Sequence, residues 1–462
     1  MTLSLALPLT FSLLSPALSQ DEEAAESPAA VEVLSVGHLR AAMRLSALEF
    51  SEEELSQMLD AVQGQIDSIE DMRRFPITNS DAPSNVFIPI RTTAPPLPEL
   101  QPIQLTEEIE RPADLSELYF ADIPTLAALI KAREVSCVEL VELFTARLQE
   151  LDPTLHFLIN LTSERAMKQA KGLDAELDAG EYRGLLHGIP WGAKDLLAVD
   201  GYPTTWGAAP FKDQRLEGDA EVVRRLDAAG AVLIAKLTMG ALAMGDVWYG
   251  ETTRNPWNPE EGSSGSSAGS ASATAAGCLP FAIGTETLGS IISPSTRCGN
   301  SSLRPSFGRV PRTGAMALSW SMDKIGPIAR SATDCAIVFE AIAGKDAADP
   351  STLDIPAPPA GTADVKGWTL GFLSSARESD ESYAQILAEL EVLGCELKAI
   401  TIPEYPVWSM LLLLMAEAAS AFDDFTRNNL DDELVSQGSD AWPCLLRAAR
   451  LIPAVDYIRA DR

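Results

Sequence analysis

The sequence predicts an α/β fold, a β-sheet with helices packed on it, and two observations carry that expectation. The chain has 462 residues, 46% of them hydrophobic, enough to bury a sizeable core in one large domain or two ordinary ones. From about residue 115 onward, stretches of helical periodicity alternate with short apolar runs bounded by turn residues. That alternation is the pattern of an α/β sheet.

Taken in order, residues 1–20 carry no charged side chain. An apolar run over 3–14 is interrupted by Pro8, and Ala17-Leu18-Ser19 supplies small residues at a cleavage point. This reads as a signal peptide, although its usual basic start is missing, and it predicts a periplasmic or secreted protein. If the leader is not a true signal, the chain is cytoplasmic. Residues 21–114 read as a helical N-terminal region followed by a Pro-rich linker. Leu55, Met58, Leu59 and Val62 recur at helical spacing with Ser51 as cap, whereas 75–102 is dense in Pro, Thr and Asn and has no period. Residues 115–462 form the main domain. In it, Leu126, Leu129, Ile130, Val138, Leu140, Val141 and Phe144 outline helical faces, and 162–177 is a helix closed by Gly180. Residues 188–195 form a short buried strand, 219–229 a helix ended by Gly230, and 231–235 and 281–284 apolar strands. A strand at 368–372, a helix at 383–393 and a strand at 396–402 follow. The apolar run 411–415, bounded by Glu417, is a buried helix, too short to span a membrane.

Charge and composition exclude some functions. Lys plus Arg is 35 and Asp plus Glu is 66, a net charge of −31. A surface this acidic repels phosphate backbones, so nucleic acid is not expected as a partner. The six cysteines form no C-x-x-C pair, and His38, His156 and His187 are scattered. No metal site is predicted. The cysteines read as buried small hydrophobes, with a disulfide left open if the chain is exported.

The candidate chemistry lies in serines. Residues 261–272 read E-G-S-S-G-S-S-A-G-S-A-S and run straight into an Ala-rich helix, which favours a tight functional turn over a flexible linker. Gly265-Ser266-Ser267-Ala268-Gly269 formally matches the nucleophile elbow G-x-S-x-G. That elbow needs a histidine later in the chain, and all three histidines lie upstream. The candidate base is then a lysine, active only if burial keeps its amine neutral near pH 7. Lys194 lies in the apolar, Gly-bracketed 188–195 strand. A turn at 284–290 precedes Ser290 and could aim N–H groups at a developing oxyanion. On the residues alone, an ordinary loop and a solvated surface lysine remain open readings.

The order and spacing of these pieces resemble the amidase signature family. Residues 188–195, GIPWGAKD, match G-I-P-x-x-x-K-D; 264–270, SGSSAGS, are similar to G-G-S-S-G-G-S; and 284–291, GTETLGSI, to G-T-D-x-G-G-S-I. Residues 303–310, LRPSFGRV, and 321–327, SMDKIGP, complete five blocks in order. The resemblance implies a single large mixed sheet covered by helices on both faces, with an N-terminal helical arm. It also implies a Ser-cisSer-Lys amidase acting on carbon–nitrogen bonds other than peptide bonds. Ser290 would attack the amide carbonyl, and Ser266, on a cis peptide, would relay the proton to Lys194. The N–H groups of Thr287, Leu288, Gly289 and Ser290 would form the oxyanion hole. The implied partner is a small-molecule amide; no cofactor is implied, and the oligomeric state is open.

There are departures from the family pattern. Leu288 replaces a glycine, which predicts a narrowed pocket. Glu286 replaces Asp and Ile292 replaces Arg, which reads as one ion pair altered as a unit. Ser264 and Ala268 each replace a glycine. Family chains usually continue past the equivalent of 452–457, so the C-terminal part is expected to be short by several strands. Three readings follow: an exported amide hydrolase, a glutamine-hydrolysing amidotransferase subunit, or an inactive amidase-like binding module. Tyr249, Trp320, Trp408 and the 410–415 run are the candidate pocket walls.

Overall fold

The computed structural model describes residues 33–45, 48–76, 100–105, 109–375 and 381–462. The leader, the acidic stretch after it and most of the Pro-rich linker lie outside the described residues.

Helices begin where the sequence offers caps. They open with α1 (Val36–Leu45) and α2 (Glu52–Arg74). Ser51 accepts from the Glu54 N–H while the Glu54 side chain takes the Ser51 N–H, satisfying two free donors at once. Asp122 caps α3 (Ile123–Ala132), and Ser136 with Glu139 repeats the reciprocal cap on α4 (Cys137–Leu155). There follow β1 (Leu158–Leu161), α5 (Ser163–Asp178), β2 (Pro190–Lys194), α6 (Glu221–Ala229) and β3 (Val232–Leu237). Gly230 ends α6 in the left-handed conformation that glycine adopts without strain. Then come α7 (Ala268–Ala275), β4 (Phe281–Glu286), α8 (Ile292–Cys298), β5 (Ser301–Ser302), β6 (Lys324–Ala329) and α9 (Ala332–Ile342).

The main sheet has six strands in the order β1-β3-β2-β4-β6-β5. Strand β2 runs parallel to both β3 and β4; the other pairs are antiparallel. Every residue of β2, β3 and β4 is buried, as strands covered on both faces must be. Trp191 stacks on Phe281 across the β2–β4 register, inside a core that includes Phe144, Leu226, Leu233 and Val338. Ala193 pairs with Ile283, so Lys194 and Thr285 leave the sheet at the same carboxyl edge. Open α/β sheets bind ligands at that edge.

Two findings refine the sequence reading. The later strands β7 (Thr369–Leu373) and β8 (Glu396–Ile400), joined by α10 (Glu381–Val392), pair in parallel with each other in a two-stranded sheet of their own. Alternation predicts strands but not which sheet they join, and these two are largely exposed. The N-terminal helices pack against the C-terminal part of the main domain. Leu39, Met43, Leu55 and Met58 pack on Cys444 and Ala448, in the helix Trp442–Ala449, and Arg73 pairs with Asp456 at 2.9 Å. The apolar 411–415 run does lie in a helix, Leu411–Ala421, with Leu412, Leu413 and Leu414 buried. All six cysteines are free and buried. Among the described residues, no helix is long and apolar enough to cross a membrane, and no His/Cys/Asp/Glu group could hold a metal ion.

Candidate active site

Lys194 ends β2 and is wholly buried. Its Nζ donates to Ser266 Oγ at 2.8 Å, Ser267 Oγ at 3.0 Å, Thr285 Oγ1 at 2.8 Å and the Thr285 carbonyl at 3.3 Å. No carboxylate pairs with it among the described residues; the nearby charges it feels are Asp323 and Glu286. Burial disfavours the ammonium and lowers its pKa from 10.5 to about 7, with those two carboxylates opposing the shift. This is a lysine placed to act as a base near neutral pH. The next residue, Asp195, instead forms a buried ion pair with Lys236 at 2.7 Å.

Ser266 sits just before α7, on a cis Gly265–Ser266 peptide bond. Only glycine fits at 265: a Cβ there would fall 1.8 Å from the Gly245 carbonyl oxygen. Ser267 ties the turn to β4, accepting from the Thr285 N–H at 3.1 Å and donating to the Thr285 carbonyl at 3.1 Å. It thereby fixes the three hydroxyls around Lys194. Sequence reasoning missed Ser267 and Thr285; the register of β4 beside β2 is what brings Thr285 to the lysine.

Ser290 lies in the turn between β4 and α8 and is 8% exposed. The Ser267 N–H donates to its carbonyl at 3.1 Å, which couples the Ser266 turn to the Ser290 turn. Its own hydroxyl has no hydrogen-bond partner among the described residues. Lys194 and Ser266 are thus in direct contact, and Ser290 is joined to them through the Ser267 backbone. The N–H groups of Thr287, Leu288, Gly289 and Ser290 donate to no protein acceptor among the described residues. Gly289 adopts φ +85°, which lets the chain turn sharply ahead of Ser290.

The surroundings of this turn bear on two sequence expectations. Glu286 accepts from the Ile291 and Ile292 N–H groups at 2.9 and 3.0 Å and lies 3.5 Å from Arg304. The carboxylate therefore keeps a cationic neighbour, supplied by the 303–310 block, even though Ile292 stands where the family has Arg. Leu288 is 61% exposed and lines neither cavity beside the site.

Those cavities measure about 270 and 960 Å³ and share Trp320 and Lys324. The smaller includes Thr285, Thr287 and Asp323; the larger includes Met410, Leu413 and Glu417. Of the candidate wall residues, Trp320, Met410 and Leu413 do line them. Trp408 is 74% exposed and Tyr249 packs edge-on to Trp248; both fall outside the two cavities. Asp323 was legible only as part of a motif. It accepts from Thr287 Oγ1 at 2.5 Å and from the Leu318 and Ser319 N–H groups at 2.8 and 3.0 Å. Burial nevertheless raises its pKa. It pins Thr287, and Glu417 pins the turn that carries Asp323 by accepting from Ser319 Oγ and Ser321 Oγ, each at 2.6 Å.

The family model described as Amidase matches residues 139–446, a span that takes in all five sequence blocks. The chain belongs to the amidase family. Among its amidase-family relatives, a glutamyl-tRNA(Gln) amidotransferase subunit of Moorella thermoacetica is 37% identical over 318 residues, 66% of this chain and 65% of the relative. The protein of the same name from Roseiflexus sp. is 38% identical over 300 residues, 62% of this chain and 61% of the relative. The matches thus span less than two thirds of these curated relatives. The solved peptide amidase from Stenotrophomonas maltophilia is similar in fold, with a TM-score of 0.64, 31% identity, and coverage of 74% of this chain and 78% of that one. An amidase family protein from Bacillus anthracis str. Ames superposes with a TM-score of 0.67 at 27% identity, covering 75% and 76% of the two chains.

Proposed function

We propose that this amidase-family chain hydrolyses linear amides through an acyl-enzyme on Ser290. Lys194, neutral in a fraction of molecules near pH 7, takes the Ser290 proton through the Ser266 hydroxyl as Ser290 attacks the carbonyl. The negative charge that develops on the carbonyl oxygen is met by the N–H groups of Thr287, Leu288, Gly289 and Ser290. The relay then returns a proton to the leaving nitrogen, which departs poorly as an amide anion. Water, deprotonated by the same relay, releases the acid and regenerates Ser290. The observation that carries this reading is the wholly buried Lys194, unpaired with any carboxylate and 2.8 Å from Ser266 Oγ.

Covalent labelling by a fluorophosphonate tests it, read by intact mass and peptide mapping. A single adduct on Ser290 is expected, absent in Ser290→Ala and weakened in Lys194→Ala. A folded wild-type protein that takes no adduct would overturn the reading and favour an inactive amidase-like module.

A second reading rests on the names of the curated relatives, which are subunits of a glutamyl-tRNA(Gln) amidotransferase. Ammonia release from glutamine, stimulated by added partner subunits, would favour it. Export is also proposed, on the uncharged apolar leader over residues 1–20. N-terminal sequencing of protein recovered from the extracytoplasmic fraction tests that: a start after the leader supports it, and a retained Met1 opposes it.

A further inference from the structure

The cavities beside Thr287 hold a cation with no ion-pair partner among the described residues. Lys324 opens β6 and lines both. Its Nζ donates to the Thr287 carbonyl at 3.0 Å and forms no ion pair among the described residues. An ammonium carries three N–H donors, so two are left without a protein acceptor.

The carboxylates around it are already occupied. Glu286 takes two backbone N–H groups beside Arg304. Asp323 takes Thr287 Oγ1 and two N–H groups. Asp349 takes the Arg312 and Ser351 N–H groups and lies 3.6 Å from Arg312 Nε. Glu417 takes Ser319, Ser321 and Tyr457. Arg312 likewise spends its guanidinium on the Trp320 carbonyl, Ser351 and Asp349. Lys324 is therefore the cation that lines both cavities and has donors to spare; Arg304, at the larger cavity, lies 3.5 Å from Glu286, and the charges of Arg304 and Arg312 near Lys324 are opposed by those of Glu286 and Asp323. Burial first, then Arg304, bring its pKa down from 10.5 to about 8, with Glu286 and Asp323 opposing the shift, and it stays charged at pH 7. In a chain of net charge −31, a lysine that lines both cavities beside the candidate oxyanion loop is a specific feature.

We infer that Lys324 selects amides that carry a carboxylate, by pairing with that group in the cavity beside Thr287. This rests on the amidase reading above, and it adds the substrate class. The pairing would hold the anionic end of a short monoamide while its amide end reaches Ser290. The Thr287 bond gives Lys324 a second effect, on the loop itself, which would weigh on neutral and anionic amides alike. The ratio between the two therefore isolates selection.

The test uses glutaramate, the monoamide of a five-carbon dicarboxylic acid, against its neutral diamide, glutaramide. Binding to the Ser290→Ala protein is measured by calorimetry at pH 7, alone and with Lys324→Met or Lys324→Arg added. Glutaramate is expected to bind about tenfold or more tighter than glutaramide, as a charge-assisted hydrogen bond in a shielded cavity provides. Lys324→Met should erase the difference, and Lys324→Arg should keep most of it, with unchanged melting temperatures showing that both fold. Equal binding of the two amides, or a preference that survives Lys324→Met, would overturn the inference. Selective binding together with an unlabelled, inactive wild type would instead count against the hydrolase reading and leave the anion site standing.

Discussion

Replacing Lys194 by methionine tests the proposed chemistry and the energetics of the site together. The side chain is wholly buried, and its ammonium pKa falls from 10.5 to about 7 on folding. Between those values the unfolded chain binds more protons at this position than the folded one, so stability rises with pH there. Below about pH 7 the full penalty of holding the buried ammonium is present. Linkage puts that penalty at about 4 kcal/mol at pH 7 and about 1 kcal/mol at pH 9.5. Methionine removes it and fills a similar volume. It also costs the hydroxyls of Ser266, Ser267 and Thr285 their shared donor, about 1 kcal/mol each. The variant is therefore expected to be more stable than wild type by about 1 kcal/mol at pH 7 and less stable by about 2 kcal/mol at pH 9.5. Urea unfolding followed by tryptophan fluorescence at both pH values reads this, and because all other groups are shared, they cancel in the difference. Amide turnover in the variant should fall about 10²–10⁴-fold, the usual contribution of a positioned base. In the wild type, kcat/KM should drop about tenfold per pH unit below pH 7 as Lys194 protonates. A stability gap that moves the other way with pH, or turnover that survives the substitution, would refute the reasoning.

Two further substitutions probe the frame around the relay. Asp195→Ala leaves the buried Lys236 ammonium without its 2.7 Å partner and should cost about 3–5 kcal/mol, read as a fall in the urea midpoint or loss of soluble protein. Gly265→Ala places a Cβ 1.8 Å from the Gly245 carbonyl, where backbone cannot yield. Displacement of Ser266 should slow fluorophosphonate labelling of Ser290 by about 10²-fold, the scale of misplacing a reacting group by an ångström. Labelling at the wild-type rate would show that the turn does not position the relay.

The α/β class, much of the element order and the candidate site residues were legible in the sequence, because each is a local pattern. The cap at Ser51 and the stop at Gly230 fall where the sequence places them. The fully apolar 231–235 run lies inside the buried strand Val232–Leu237, apart from its first residue. The motif blocks mark Lys194, Ser266 and Ser290 without any structure. Non-local facts were not legible. Nothing local tells the strands Thr369–Leu373 and Glu396–Ile400 to pair with each other outside the main sheet. The contact of Lys194 with Thr285 comes from two strands lying side by side although the residues are 91 positions apart.

What the sequence by itself determined was which residues are available and the approximate place of many helices and strands, since capping, periodicity and turn chemistry act over a few residues. What only the tertiary structure decided was their company. Lys194 loses water and any carboxylate partner, whereas Lys236, also a buried lysine, gains Asp195. The same side chain becomes a candidate base in one place and a structural ion in the other. The difference lies in desolvation and in which charges approach, both set by strands distant in the chain.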